Sequence, residues 1–337
     1  MERIVTIENH VHEQQKQFPG ATGEFSRLLL ELALAGKIIA REVNRAGLGD
    51  ILGATGDVNV QGERVQKLDH YARDVLVGIL RRGGHVAAIA NEEDEDLIRI
   101  EHEDPRGHYL VTLDPLDGSS NIDANVSIGT IFGIYRYDSE GQKAAICDVC
   151  RPGREQVGAG YLIYGSSTMM VYAARNGGAH GFTLDPGIGE FLLSHPDLAI
   201  PERGRIFSIN EGYAVWWNEP VRRYIAWLKT PGEDRPYTGR YIGSLVADVH
   251  RNLLYGGIFL YPEDTKDPDR PQGKLRLVYE AAPLAFVVEN AGGRATTGTT
   301  PILDLTPEGL HQRTPLVIGS RMDVNDYEAF CRGEGWV

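Results

Sequence analysis

The segment Tyr109-Leu-Val-Thr-Leu-Asp114-Pro-Leu-Asp117-Gly-Ser-Ser-Asn121 constrains this chain more than any other stretch. Its apolar, β-favouring start predicts a strand, and Asp114 with Pro115 predicts where that strand ends. Asp117 follows three residues later, so the turn can bring two carboxylates to one point. Gly118 permits close backbone approach, and Ser119, Ser120 and Asn121 offer small hydrogen-bonding groups. Two clustered carboxylates repel each other unless a cation sits between them. The Leu116 carbonyl lies between the aspartates, so the donor set is all oxygen. Such a set favours a hard cation, Mg²⁺ or Mn²⁺, completed by water and substrate phosphate.

A second apolar run, Val86–Ala90, also ends in acid, at Asn91-Glu92-Glu93-Asp94. By itself Asn91–Asp96 reads as a solvated acidic turn. Ligands of α/β sheets gather outside strand ends, so two acidic strand ends in one chain predict a shared metal site. This many carboxylates suits more than one divalent ion. Paired ions can stabilise the attacking and leaving oxygens of an in-line displacement at phosphorus, which makes phosphate ester hydrolysis the natural reaction class. No Ser–His–Asp or Cys–His pattern rises above chance, so metal-activated water is preferred to a covalent intermediate.

The rest of the chain predicts an α/β (α+β) protein of two stacked domains, residues 1–200 and 201–337. Helical stripes are expected over Glu24–Ala46, capped by Thr22 and stopped by Gly47, and from Leu68 to Gly83-Gly84. Strands are expected at Val86–Ala90, Tyr109–Leu113, Val126–Tyr135, Gln156–Tyr164 and Thr168–Ala174, giving a mostly antiparallel or mixed sheet. The turn-rich segment Leu184–Pro201 is the expected boundary. Beyond it come a strand over Arg205–Ile209, helices over Pro220–Lys229 and Ser244–Leu254, and a strand over Gly257–Tyr261. A helix near Pro283–Asn290, closed by Gly292-Gly293, then precedes a strand at Leu316–Ile318 and a final helix. The formal net charge is −13 with no basic stripe, which argues against a nucleic-acid partner. Three cysteines cannot form a disulfide framework, and no apolar run suits a signal peptide or a membrane span, so a soluble cytoplasmic protein is expected.

Asp114-Pro-Leu-Asp117-Gly-Ser-Ser resembles the metal motif of the magnesium-dependent, lithium-sensitive phosphatases. Longer matches narrow the resemblance: Asn210-Glu-Gly-Tyr213, Arg240 through Arg251, Tyr255 through Pro262, and Gly273-Lys-Leu-Arg-Leu-Val-Tyr-Glu280. From about Thr22 to the C-terminus the chain resembles the class I fructose-1,6-bisphosphatases. That resemblance implies the sugar-phosphatase fold, a layered αβαβα sandwich with mixed sheets. It also implies that Glu92, Asp114, the Leu116 carbonyl, Asp117 and Glu280 bind two or more Mg²⁺ ions per subunit, with Mn²⁺ able to substitute. Spacing alone would read Glu280 as an acidic residue before a helix. Asp69 and Glu93 would help activate the attacking water, and Glu63, where the family has Asp, would support them. Gly118, Ser119 and Ser120 would hold the departing phosphate. Asn210, Tyr213, Tyr241, Tyr261 and Lys274 would grip the second phosphate and the sugar, with Arg276 facing the site. Arg240 would act from a neighbouring subunit of a homotetramer. Without the family, the three tyrosines would read as half-buried aromatics.

The same resemblance implies AMP as an inhibitor bound at the start of the first long helix, by Thr22, Gly23, Glu24 and Ser26 with Tyr109 and Arg136. His108 stands where the family typically has Lys, so inhibition is expected to be weakened and to strengthen at lower pH. Cys147-Asp-Val-Cys150 is expected in or beside a strand, where residues three apart face opposite sides, so the two thiols read as structural. His250 reads as a packed or surface imidazole, and Trp216-Trp217 as a domain or subunit interface. The expected reaction is Mg²⁺-dependent removal of the 1-phosphate of fructose 1,6-bisphosphate, in gluconeogenesis or a pentose cycle. Sedoheptulose 1,7-bisphosphate, alone or as a second substrate, is the alternative. A non-catalytic metal- or nucleotide-binding regulator on the same scaffold is the alternative of another class.

Overall fold

The computed structural model describes residues 4–17, 21–46, 48, 54–58, 64–100, 107–138, 143–268 and 272–334. Gly47 and Glu63 lie outside the described residues. In chain order the elements begin with α1 (Ile7–Gln15) and α2 (Glu24–Val43). A hairpin of β1 (Ala54–Val58) and β2 (Arg64–Gln66) leads into α3 (Lys67–Gly83). Then come β3 (Val86–Asn91), β4 (Ile98–Arg99), β5 (Tyr109–Asp117), β6 (Ile128–Arg136) and the single turn α4 (Ile146–Val149). The strands β7 (Gln156–Tyr164), β8 (Thr168–Ala174), β9 (Gly178–Asp185) and β10 (Glu190–His195) complete the first half. The second half runs β11 (Ile206–Ser208), α5 (Glu219–Lys229), β12 (Thr238–Gly239), α6 (Leu245–Tyr255) and β13 (Ile258–Tyr261). It ends with α7 (Ala282–Asn290), β14 (Arg294–Thr296), β15 (Leu316–Gly319) and α8 (Arg321–Cys331).

Two mixed sheets organise these elements. The larger has the order β10-β9-β8-β7-β6-β5-β3-β4 and is antiparallel except where β3 runs parallel to β5. The smaller has the order β12-β11-β13-β15-β14, with β11 parallel to both of its neighbours. Helices α1, α2 and α3 bury one face of the large sheet. Helices α6 and α7 fill the space between the sheets, and α5 with α8 covers the far face of the small one. The result is the five-layer αβαβα sandwich.

The sequence explains this layering. α2 presents Leu28, Leu29, Leu32 and Ile39 along one stripe, and Gly36 lets it approach β7 closely, since a Cβ there would collide with Leu162 Cδ2. α7 is apolar all round, from Ala282 to Val288, as a helix covered on both sides must be.

Several expectations are corrected. Pro115 does not end its strand; β5 continues to Asp117 with an irregularity between the two aspartates. The cap of α2 is Gly23, left-handed at φ 87°, rather than Thr22. Cys147 lies in the helical turn α4 and Cys150 caps it, so the two share a helical turn rather than opposite faces of a strand; both are free thiols. The segment read as turn-rich contains the end of β9 and all of β10. Trp217 is a core residue packed with Val221 and Tyr224. His250 is packed, as expected, with its Nδ1 2.8 Å from the Tyr161 hydroxyl.

Candidate active site

The edge of the large sheet delivers the carboxylates. β5 carries Asp114 and Asp117, and the parallel neighbour β3 ends at Asn91, so Glu92 and Glu93 emerge beside them. The Glu92 N–H donates to the Leu113 carbonyl at 3.1 Å, which extends the pairing to the metal-motif strand. Glu280 arrives from the opposite direction, on the wide helical turn Leu277–Ala281 that leads into α7. Asp114, Asp117 and Glu280 bring oxygens within 4.8 Å of one another. All three are buried, at 6 %, 8 % and 5 % exposure.

Three carboxylates in so small a buried volume cannot all stay charged without a cation. Burial, then the charges of Glu92 and Asp117, hold the Asp114 carboxyl well above the usual aspartate range. Burial and Glu92 do the same to Glu280, with the Arg276 guanidinium opposing them. Asp117 is pushed up to about 6 by burial, and the N–H of Val246 at 2.9 Å holds it back. Oxygen-only donors, dense charge and burial together fit a divalent cation of the hard class.

Other residues take more varied places. The Leu116 N–H donates to Asp114 Oδ1 at 3.0 Å, which fixes the irregular strand end. Glu92 turns toward Arg276, Oε1 to Nη2 3.2 Å, and so reaches the cluster from its rim. Asp69 is buried as the third residue of α3, inside its first turn. Asp94 ties the Glu92–Glu93 loop down: Arg73 Nε and Nη2 donate to it at 2.8 and 2.5 Å, and His311 Nε2 lies 3.1 Å from its carbonyl oxygen. Arg73 and His311 escape a reading of the sequence. A short acidic loop and a single helix-borne arginine leave no spacing signal.

Gly118 is left-handed at φ 77° and opens the short 3₁₀ turn Ser119–Ala124, which presents Ser119 and Ser120 next to Asp117. On the small sheet, Asn210 caps the turn Glu211–Trp216, accepting from the Gly212 N–H at 3.1 Å. Tyr241 is pushed up to about 12 by burial, by Asp248 and by the nearby Tyr213, and Tyr261 is raised by burial and by the neighbouring Tyr241 and Tyr213. Tyr241 also feels Asp117, and Tyr261 feels Glu280, so these two phenols lie on the same side as the carboxylate cluster. Lys266, also unread in the sequence, stands 3.7 Å over the Tyr213 ring. Lys274 and Arg240 are exposed, and Arg276 is buried with Nη1 donating to the Lys274 carbonyl at 2.8 Å.

A separate cavity of about 360 Å³ lies between α1, α2 and the far end of the large sheet. Thr22, Gly23, Ser26, Tyr109 and Arg136 all line it, joined by Arg175. Glu24 does not line it; its carboxylate is paired with His108 Nδ1 at 2.7 Å.

Comparison with known proteins matches this architecture throughout. Residues 5–196 match the N-terminal domain model of fructose-1-6-bisphosphatase, and residues 200–332 match its C-terminal domain model. The class 1 fructose-1,6-bisphosphatase of Maridesulfovibrio salexigens is 55% identical over 96% of each chain. That of Chlorobium chlorochromatii is 53% identical over 99% of this chain and 100% of its own. The crystal structure of Leishmania major fructose-1,6-bisphosphatase in holo form superposes with a TM-score of 0.89 at 40% identity, covering 98% of this chain and 99% of that one. With a three-carboxylate cluster on the shared fold and more than half of its residues identical to those of the first two relatives, the chain belongs to the class 1 fructose-1,6-bisphosphatase family.

Proposed function

We propose that this protein removes the 1-phosphate of fructose 1,6-bisphosphate, giving fructose 6-phosphate and inorganic phosphate. The observation that carries the reading is the buried cluster of Asp114, Asp117 and Glu280, near enough to the phenols of Tyr241 and Tyr261 to act on them. Family membership implies a divalent metal, and the oxygen donor set fits Mg²⁺, with Mn²⁺ as a substitute. Asp114, Asp117, Glu280, the Leu116 carbonyl and Glu92 would hold the ions. When bound, they would supply charge neutralisation for the phosphoryl group and a water acidified enough to attack it.

The chain's own residues do the rest. Glu93 and Asp69 take the proton of the attacking water. The N–H groups and hydroxyls around Gly118, Ser119 and Ser120 bind the phosphoryl oxygens, because a left-handed glycine and small side chains leave donors uncrowded. Asn210, Tyr213, Tyr241, Tyr261, Lys274 and a neighbouring subunit's Arg240 hold the sugar and its remote phosphate, which makes a homotetramer part of the proposal. The chain divides at about residue 200 into a metal-binding half and a sugar-phosphate half. AMP binds in the 360 Å³ cavity, where Arg136 and Arg175 offer cations to its phosphate. Pairing of His108 with Glu24 supports weakened inhibition, because the imidazole is already engaged.

Phosphate release from fructose 1,6-bisphosphate and sedoheptulose 1,7-bisphosphate, measured with Mg²⁺ and with chelator, tests the reading. Chelator-sensitive release from the fructose ester is expected, and Glu93→Gln should nearly abolish it. No release by folded, Mg²⁺-supplied protein would overturn the assignment.

A further inference from the structure

A half-buried arginine outside the cleft ties together the two loops that face it from the small sheet. β11 and β12 are parallel neighbours, so the chain leaves both at the same edge. Ser208 ends β11, two residues before Asn210, and Arg240 follows β12 directly. Arg251, on α6, reaches both exits with one nitrogen: its Nη2 lies 2.6 Å from Ser208 Oγ and 2.9 Å from the Arg240 carbonyl oxygen. The same nitrogen donates to Asp248 Oδ1 at 2.6 Å.

Asp248 is fully buried and accepts from two successive N–H groups further along the second loop, Ile242 at 3.0 Å and Gly243 at 3.0 Å. Asn252 adds a bond from Nδ2 to Ser208 Oγ at 3.2 Å. One face of α6 thus fixes the backbone of Arg240–Gly243 and couples it to the end of β11. The helix start also bonds Asp117 through the Val246 N–H.

Such an arrangement has no obvious purpose as a stability device. Burying a charged pair gains little over apolar packing, whereas it fixes backbone geometry where the groups that bond it have no other partners. We infer that Arg251 is a positioning residue for the remote phosphate of the substrate: through Ser208, Asp248 and the Arg240 carbonyl it holds the Asn210 and Arg240–Tyr241 loops in register. The inference rests on the bisphosphatase reading above. All three acceptors converge on Nη2, the far tip of the arginine side chain; a lysine ammonium ends one bond short of that point and cannot meet them in the same geometry.

The test uses Arg251→Lys, which keeps the charge beside Asp248, and Ser208→Ala, which removes the hydroxyl that links β11 to Arg251 and Asn252 and leaves Arg251 itself in place. Fructose 6-phosphate binding is measured by calorimetry on the full-length protein, together with steady-state hydrolysis of fructose 1,6-bisphosphate. Both variants should bind fructose 6-phosphate about 10-fold more weakly and raise KM by a similar factor, with kcat within about 2-fold of the parent. Inorganic phosphate should bind as in the parent. Equal losses in kcat and KM, or unchanged fructose 6-phosphate affinity in folded Ser208→Ala, would overturn the inference. If the parent binds fructose 6-phosphate without hydrolysing the bisphosphate, the catalytic reading fails and the positioning role is still judged by the binding data. If Arg251→Lys does not fold, Ser208→Ala decides alone.

Discussion

Replacing Glu280 with Gln should make the metal-free protein more stable while removing its response to Mg²⁺. The carboxylate oxygens of Asp114, Asp117 and Glu280 lie within 4.8 Å of one another. At an effective dielectric constant of about 20, two unit charges at that separation repel by about 3.5 kcal/mol. Each carboxylate takes part in two such pairs. The cost has a ceiling, because a strained glutamate can take up a proton at neutral pH for about 3.7 kcal/mol. The amide introduced by Glu280→Gln would keep an acceptor for the Arg276 N–H, which donates to Glu280 Oε2 at 2.5 Å. The net gain expected for the metal-free variant is therefore about 2 kcal/mol, or about 3 °C in Tm for a chain of this size. With one of three charges gone, Mg²⁺ should bind about 100-fold more weakly.

The assay is thermal unfolding with chelator and across a Mg²⁺ titration, with turnover measured in parallel. A metal-free variant less stable than the parent, with the Mg²⁺ response intact, would refute the account of the cluster. The same account fixes a pH dependence. A carboxyl whose folded pKa lies above its unfolded value holds its proton more tightly when folded, so stability is full below the unfolded pKa and is lost as pH rises through the folded one. For Asp117 that window runs from the ordinary 3.8 to about 6. Metal-free protein should lose stability across it, and Mg²⁺ should restore the loss.

The geometry carries three further predictions. Arg73→Met should free the Asp94 loop and lower kcat about 10-fold with little change in Tm, since the guanidinium is partly exposed; an unchanged kcat would mean that Glu92 and Glu93 need no such tether. Gly129→Ala would drive a Cβ into the Leu162 carbonyl oxygen and to 2.8 Å from Val246 Cγ1, costing about 1–3 kcal/mol by overpacking and displacing the N–H that bonds Asp117. Calorimetry and turnover should both report it, and a wild-type Tm would show that the sheet yields there. Arg136→Ala should abolish AMP inhibition and leave turnover without AMP intact, measured as rates with and without the nucleotide; loss of turnover itself would contradict the separateness of the cavity.

The pair Asp114 and Asp117 is legible because a strand ending in acid, glycine and serines is a local signal. Glu280 is not, because 163 residues separate it from Asp117 and only packing of α7 between the sheets brings it there. Residue spacing cannot find Glu280; resemblance to the family does. Pro115 misleads because proline usually ends a strand, yet the irregularity between Asp114 and Asp117 accommodates it. β9 and β10 go unread because His180 and Gly181 interrupt the apolar alternation of β9, while β10 buries only Phe191 fully. α1 escapes for a similar reason, showing just Ile7, His10 and Val11 to the core in a mostly polar run. The cysteine pair is misplaced because four residues are too few for periodicity to separate one helical turn from a strand.

The wide turn Leu277–Ala281 and α7 root Glu280 in the layer between the sheets, whereas Asp114 and Asp117 belong to the large sheet itself. The cluster is therefore a gauge of layer alignment. Sliding the middle layer slightly against the large sheet would change the spacing of the three carboxylates without altering the backbone around any one of them. Any shift of that stack would be registered by the chemistry as a change in metal affinity.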